Sequence, residues 1–210
     1  MLARSPPWTS AAGVVILPAM ITPGEVLDFW FDRAGGATAL RFRDEWFRKT
    51  EAFDAAVRAR LGDASAAAVA GGFAAWEDAP DTMLALLLLL DQVPRNLCRG
   101  EAAAFAGDAR ALALAKAGIA KGFDRNVGPV ERVFYYMPLE HAENPQDQEL
   151  SVRLLTALNG EIPDRQLTYF AERHREIILR FGRFPHRNAA LGRTSTAEEL
   201  AFLQEPHSSF

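Results

Sequence analysis

Met83-Leu84-Ala85-Leu86-Leu87-Leu88-Leu89-Leu90 runs directly into Asp91-Gln92-Val93-Pro94-Arg95-Asn96, and this stretch decides the fold. The first eight residues show no apolar-polar alternation, so they do not read as a half-exposed strand. Set in a helical pattern from about Asp81 to Gln92, they predict a helix that is apolar on every side and packed centrally. The run is also the longest uncharged apolar one in the chain, far below the ~20 residues a bilayer requires.

Outward from this helix the chain is punctuated as further helices. Thr22 caps the first, with Pro23 at its first position and Glu25 closing a capping box; Val26, Leu27, Trp30 and Phe31 form its apolar face, and Gly35-Gly36 stop it. A second helix is expected from about Asp44 to Leu61, with Trp46, Phe53, Val57 and Leu61 on one stripe and Gly62 as its stop. An alanine-rich third covers about Ala64 to Ala70. A fifth runs from about Ala102 to Lys121, with Phe105, Leu112, Ala115 and Ile119 inward. Pro129 starts a sixth, Asn144-Pro145 a seventh and Pro163 an eighth, whose stripe is Leu167, Phe170, Ala171, His174, Ile177, Ile178 and Phe181. Ser195 or Thr196 caps a short ninth carrying Leu200 and Leu203. The expected class is all-α: residues 20–210 as a single domain of about nine helices, antiparallel pairs in a superhelical stack.

The 210 residues are 49% hydrophobic and 24% charged, a globular balance. A net charge of -4 argues against generic nucleic-acid or anionic-membrane binding. One cysteine, Cys98, allows no internal disulfide and fits a reducing, cytoplasmic setting. Phosphate-loop, Gly-x-Gly-x-x-Gly, Gly-x-Ser-x-Gly and His-Glu-x-x-His patterns are absent, which disfavours common nucleotide, serine-hydrolase and zinc-hydrolase machinery.

Polar residues that are costly to place gather in three stretches. In the first, Pro94 is expected to push Val93 out of helical geometry. That would set Asp91 in the last turn of a buried helix, against the dipole, with Arg95 or Arg99 answering it and Gln92 and Asn96 beside it. In the second, Glu140, His141 and Glu143 put two carboxylates and an imidazole within four residues, suited to proton transfer or metal ligation, or to a solvated helix end. In the third, Arg183, His186, Arg187 and Asn188, with Arg180 and Arg193 nearby, suit carboxylate or phosphate binding, or pairing with Asp91, Glu140 and Glu143. Placing the stretches together answers both the buried carboxylate and the crowded arginines. His174 reads as a core histidine bonded to a neighbour. Val93-Pro94-Arg95-Asn96 and Phe184-Pro185-His186-Arg187-Asn188 echo one another.

Val26-Leu27-Asp28-Phe29-Trp30-Phe31, Leu89 to Asn96, Tyr136-Met137-Pro138-Leu139-Glu140-His141-Ala142-Glu143 and Arg180 to Asn188, in this order, resemble the bacterial family called domain of unknown function 924, from about Ile21 to Phe202. The resemblance implies an all-helical, tetratricopeptide-like fold and brings no established activity. The family commonly has an aromatic where Cys98 stands, so a thiol nucleophile is not expected.

Two functions are consistent with these residues. In one, a pocket takes a small anionic metabolite: Asp91, Glu140, His141 and Glu143 supply acid, base or metal-ligand chemistry, while Gln92, Arg95, Asn96, Arg183, His186, Arg187 and Asn188 hold the ligand. In the other, a non-catalytic helical scaffold binds a peptide or protein. The first is preferred, because function concentrates at helix ends and loops. Cofactor and metal are left open by the sequence.

Residues 1–19 carry one charge, Arg4, and are interrupted by Pro6, Pro7 and Pro18, which suggests a loose arm or an upstream start before Met20. A chain beginning at Met20 is expected to melt at an unchanged temperature in a thermal denaturation scan; failure of that chain to fold would overturn this reading of the arm.

Overall fold

The computed structural model describes residues 21–33, 40–162 and 166–209. The 1–19 arm, the Gly35-Gly36 stop and the Pro163 helix start lie outside the described residues. Within them the chain is all-helical and contains no strand.

Helix α1 (Pro23–Phe31) begins as expected, with Thr22 and Glu25 forming a reciprocal capping box, and ends at Asp32 in the left-handed region (φ 51°). Its last carbonyls are not left to water. Arg43 donates to the carbonyls of Phe29 and Trp30 at 3.1 and 2.9 Å, and the Trp46 indole donates to Trp30 at 3.0 Å. Those bonds hold residues 43–46 against the end of α1, so Asp44–Trp46 form a separate 3-10 turn rather than the start of the second helix. Helix α2 (Glu51–Val69) starts instead at the Thr50 cap and continues through Gly62, absorbing the expected third helix. It ends before Gly71, whose φ of +95° a helix cannot continue.

The central run is α3 (Pro80–Leu87), one π turn (Leu88–Gln92) and α4 (Val93–Leu97). Met83 to Leu90 are all at most 1% exposed, as their composition requires. The expected break at Val93 does not occur: Val93 is helical, with φ -57° and ψ -46°. Widening the helix by one residue accommodates Pro94, which has no N–H to give. Val93 donates to Leu88, the Ser65 hydroxyl donates to the Leu89 carbonyl at 2.7 Å, and Arg95 donates to the Asp91 carbonyl at 2.7 Å. Gly107 meets the Leu90 carbonyl so closely that a Cβ there would lie 2.2 Å from the oxygen. Asp91 therefore sits inside a continuous helical run, not in a final turn.

The same approach of Gly107 divides the expected fifth helix into a 3-10 turn, Ala102–Phe105, and α5 (Asp108–Lys121). Helix α6 (Pro129–Glu140) leads through four residues to α7 (Pro145–Leu158), capped by the Asn144 side chain, and α8 (Leu167–Phe181) follows, closed by Gly182 at φ 70°. Successive helices α5 to α8 pack on one another, while α3 touches α1, α5 and α6. The short α9 (Ala197–Phe202) has the Thr196 and Glu199 capping box, but Phe202 is its buried apolar residue and Leu200 is 56% exposed, contrary to the expected stripe. Phe202 joins Ile177, Ile178 and Phe184 in a small apolar cluster apart from the main core.

Leu87→Ala removes a fully buried side chain from the central helix and is expected to cost about 2 to 5 kcal/mol in urea unfolding. A loss under about 0.5 kcal/mol, the range of surface changes, would contradict this packing.

Candidate functional site

The π turn holds Asp91, 1% exposed, behind Gln92, Arg95 and His141, which line a cavity of about 540 Å³. Its carboxylate accepts from His141 Nδ1 at 2.7 Å and from the Gln92 amide at 2.6 Å, and faces Arg95 at 3.2 Å. Burial pushes its pKa up, but Arg95 first and His141 second outweigh burial and hold it well below the usual carboxylate range. An ionised carboxylate only accepts, so the proton between the pair belongs to His141 Nδ1.

His141 caps the end of α6. Gln148 of α7, fully buried, fixes that end by donating to the carbonyls of Glu140 and Ala142 at 2.6 and 2.7 Å. Burial and the charge of Arg95 lower the His141 pKa against the opposing pull of Asp91, so the imidazole stays neutral at pH 7. With Nδ1 protonated, Nε2 carries a lone pair, and among the described residues no group bonds it. His174 lies with its ring centroid 6.3 Å from that of His141. Its Nδ1 is 2.8 Å from the Phe170 carbonyl and 3.0 Å from Glu140, so the expected core histidine is indeed bonded to a neighbour yet also lines the cavity. His174 is the main counterweight that keeps the buried Glu140 ionised despite desolvation.

The two echoing motifs meet at Asp108, the first residue of α5. Arg95 forms a two-pronged pair with it at 2.8 and 3.0 Å, and Arg187 reaches the same carboxylate at 3.3 Å. Both guanidinium groups lie over the Phe105 ring, and Arg187 is also stacked 4.4 Å from the centroid of Phe184. Arg187 is 6% exposed and its Nε has no hydrogen-bond partner. Burial, then the neighbouring charge of Arg95, pulls its pKa down to about 10. His186 beside it is pushed down to about 3, by burial and then by Arg187.

Asp91, Gln92, Arg95, Glu140, His141, His186 and Arg187 are thus brought together, with Asn96 on the cavity wall. Asn96 is also bonded to Asp54, which Arg99 pairs with instead of Asp91. The others are not part of this group. Arg183 forms a two-pronged pair with Glu199 at 2.6 and 2.8 Å, and Asn188 bonds Ser195 and Glu199, so both secure the start of α9. Glu143 pairs with Arg193 and accepts from the Phe184 N–H; it lines a smaller neighbouring cavity of about 300 Å³. Arg180 pairs with Glu198. Asp108 and Gln148 escaped the sequence reading, and Phe105 was expected only as an inward residue of the fifth helix. An aspartate opening a helix looks like an ordinary dipole partner, and nothing in its neighbours marks it as the bridge between two arginines 92 residues apart. Among the described residues no three of His, Cys, Asp and Glu converge where they could hold a metal ion, and no helix is long and apolar enough to cross a membrane.

The family of bacterial proteins of unknown function called DUF924 matches residues 26–207. The chain belongs to this family. It is similar to a solved structure, that of the protein of unknown function ATU0120 from Agrobacterium tumefaciens, at 40% identity and a TM-score of 0.76, over 87% of this chain and 96% of that one. A comparison with curated proteins gives no match.

His141 and His186 both have native pKa values below the ~6.5 of an unfolded histidine. As pH falls below about 6.5 the unfolded chain therefore takes up protons that the native one refuses. Stability should fall by up to about 1.4 kcal/mol per pH unit for each group. Below about pH 4 the depressed Asp91 and Glu140 add to the loss in the same direction. Urea midpoints from pH 7.5 to 5 should show this slope, and His186→Gln should flatten it; a flat profile in the unaltered protein would contradict the buried neutral histidines.

Proposed function

We propose that this protein binds a small organic anion in the 540 Å³ cavity and acts on it by proton transfer, with His141 as the base. The observation that carries the reading is the unpaired Nε2 of a neutral His141, set by ionised Asp91 in a cavity that Arg187 also lines. A carboxylate behind an imidazole fixes its tautomer and stabilises the imidazolium formed when Nε2 takes a proton. Glu140 beside His174 is a second proton-handling pair on the same wall. Arg187 is the anchor for the anion: its one hydrogen bond is long and goes to an oxygen that Arg95 already holds, so a ligand oxyanion would supply the missing acceptor.

The volume lies within the range of small-molecule sites. The scaffold alternative is less favoured, because it leaves an under-bonded arginine and an open imidazole nitrogen at buried positions without a purpose. Net charge gives no support to nucleic-acid or membrane partners, and the single cysteine supports a cytoplasmic setting.

The test begins with binding. Acetate and benzoate should raise the melting temperature of the unaltered protein, and Arg187→Gln should remove the shift. Ester and hydroxy derivatives of the acids that bind are then assayed for turnover. His141→Gln should lower kcat about 10²- to 10⁴-fold while leaving anion affinity within a factor of a few. Wild-type turnover in the His141→Gln protein would remove His141 from the reaction, and an Arg187→Gln protein that still responds to acetate would remove the anchor.

A further inference from the structure

The cavity has two chemically different ends. On α6, Val133, Met137 and His141 are spaced four apart and share one face, so about 12 Å of cavity wall runs from an apolar to a polar position. On α8, Leu167, Phe170 and His174, three and then four apart, likewise share one face and run from apolar to polar over about 10 Å. Helix α6 packs on α7 and α7 on α8, through short connections, so α6 and α8 point the same way. The 6.3 Å between the rings of His141 and His174 brings their polar ends together. The apolar ends must therefore coincide as well.

Other elements follow the same division. Trp46 lies 4.9 Å from Phe134, next to Val133, and so belongs to the apolar end. Leu155 lies seven residues along α7 from Gln148, which is tied to the end of α6, and so also reaches the apolar half. Phe47 and Phe170, 52% and 39% exposed, form part of the rim. At the polar end stand Arg95 and Arg187, matched in number by Asp91 and Asp108, and Glu140 beside His174 adds a further carboxylate, so the end carries no surplus of fixed positive charge. The open N–H edge of Arg187 takes one carboxylate, and beside Glu140 a second negative charge on the ligand would be repelled.

We infer that the ligand is an amphipathic monocarboxylate: one carboxylate held at the Arg187 end and an unbranched or aromatic apolar body lying along Val133, Met137, Leu167 and Phe170. This rests on the anion site proposed above and specifies its substrate class. The apolar wall excludes polar metabolites of the same charge, because their hydroxyl or amino groups would lose water there without gaining partners. Short acids would fill only the polar end.

Calorimetric titration of the full chain with acetate, butanoate, octanoate and octanol tests the inference. Affinity should rise about fourfold per methylene, putting octanoate of order a hundredfold above butanoate, with octanol far weaker than octanoate. Arg187→Gln should weaken octanoate at least tenfold, and Phe170→Ser, a change at the rim, should shrink the gap between octanoate and butanoate. Equal affinity for butanoate and octanoate, lost in Arg187→Gln, would overturn the amphipathic ligand and leave the anion site standing. Octanol binding as well as octanoate, with no effect of Arg187→Gln, would overturn both, as would absence of binding by every probe. The ligand series on the unaltered protein decides the matter even where a variant does not fold.

Discussion

An ionised carboxylate withdrawn from water costs several kcal/mol unless hydrogen bonds and a counter-charge surround it, and Asp91 imposes that requirement on several parts of the chain at once. His141 comes from the end of α6, Gln92 and Arg95 from the π turn and the helix after it. Arg95, shared between Asp91 and Asp108, then draws the start of α5 into the same assembly. The π turn makes this possible. It carries the helical run past Pro94 without a break, and the carbonyls it displaces find partners in Ser65 and Arg95. A regular helix would have to bend at that proline, and the carboxylate would leave His141.

The second guanidinium is held differently. Arg187 is sandwiched by Phe105 and Phe184, which support the flat faces of the cation but offer no oxygen to its N–H edge. Its carboxylate partner is committed to Arg95 at shorter distances. Structural ion pairs normally bond both carboxylate oxygens at short distances, as Arg183 does with Glu199 and Arg193 with Glu143. Arg193 leaves its Nε unbonded as Arg187 does, but it makes three other bonds where Arg187 makes one long one, which separates the residues that secure α9 and its loop from the one that faces the cavity.

Amphipathic helices ordinarily place apolar residues inward along their whole length. Along the cavity, α6 passes from Val133 and Met137 to His141 and α8 from Leu167 and Phe170 to His174, before α8 turns apolar again at Ile177 and Ile178 in the separate small cluster. Gln148 holds the end of α6 in place by taking its last carbonyls, so the polar end of the cavity is fixed by a buried amide rather than by the cavity residues themselves.

Local chemistry was enough to determine the helical class, the capping box at Thr22, a cap at Ser195 or Thr196, the Asn144 cap and the burial of Met83 to Leu90, because each depends on residues within a few positions of one another. It also marked Asp91, Arg95, His141 and Arg187 as costly to place. What local signals could not supply were the long-range partners. Trp46 left the second helix because it bonds to the end of α1, Pro94 failed to break its helix because Ser65 and Gly107 meet the widened turn, and Arg183 went to Glu199 while Arg187 went to Asp108. In each case two conformations or two partners are locally acceptable, and the choice between them is made by a group many residues away that only folding brings within hydrogen-bond range.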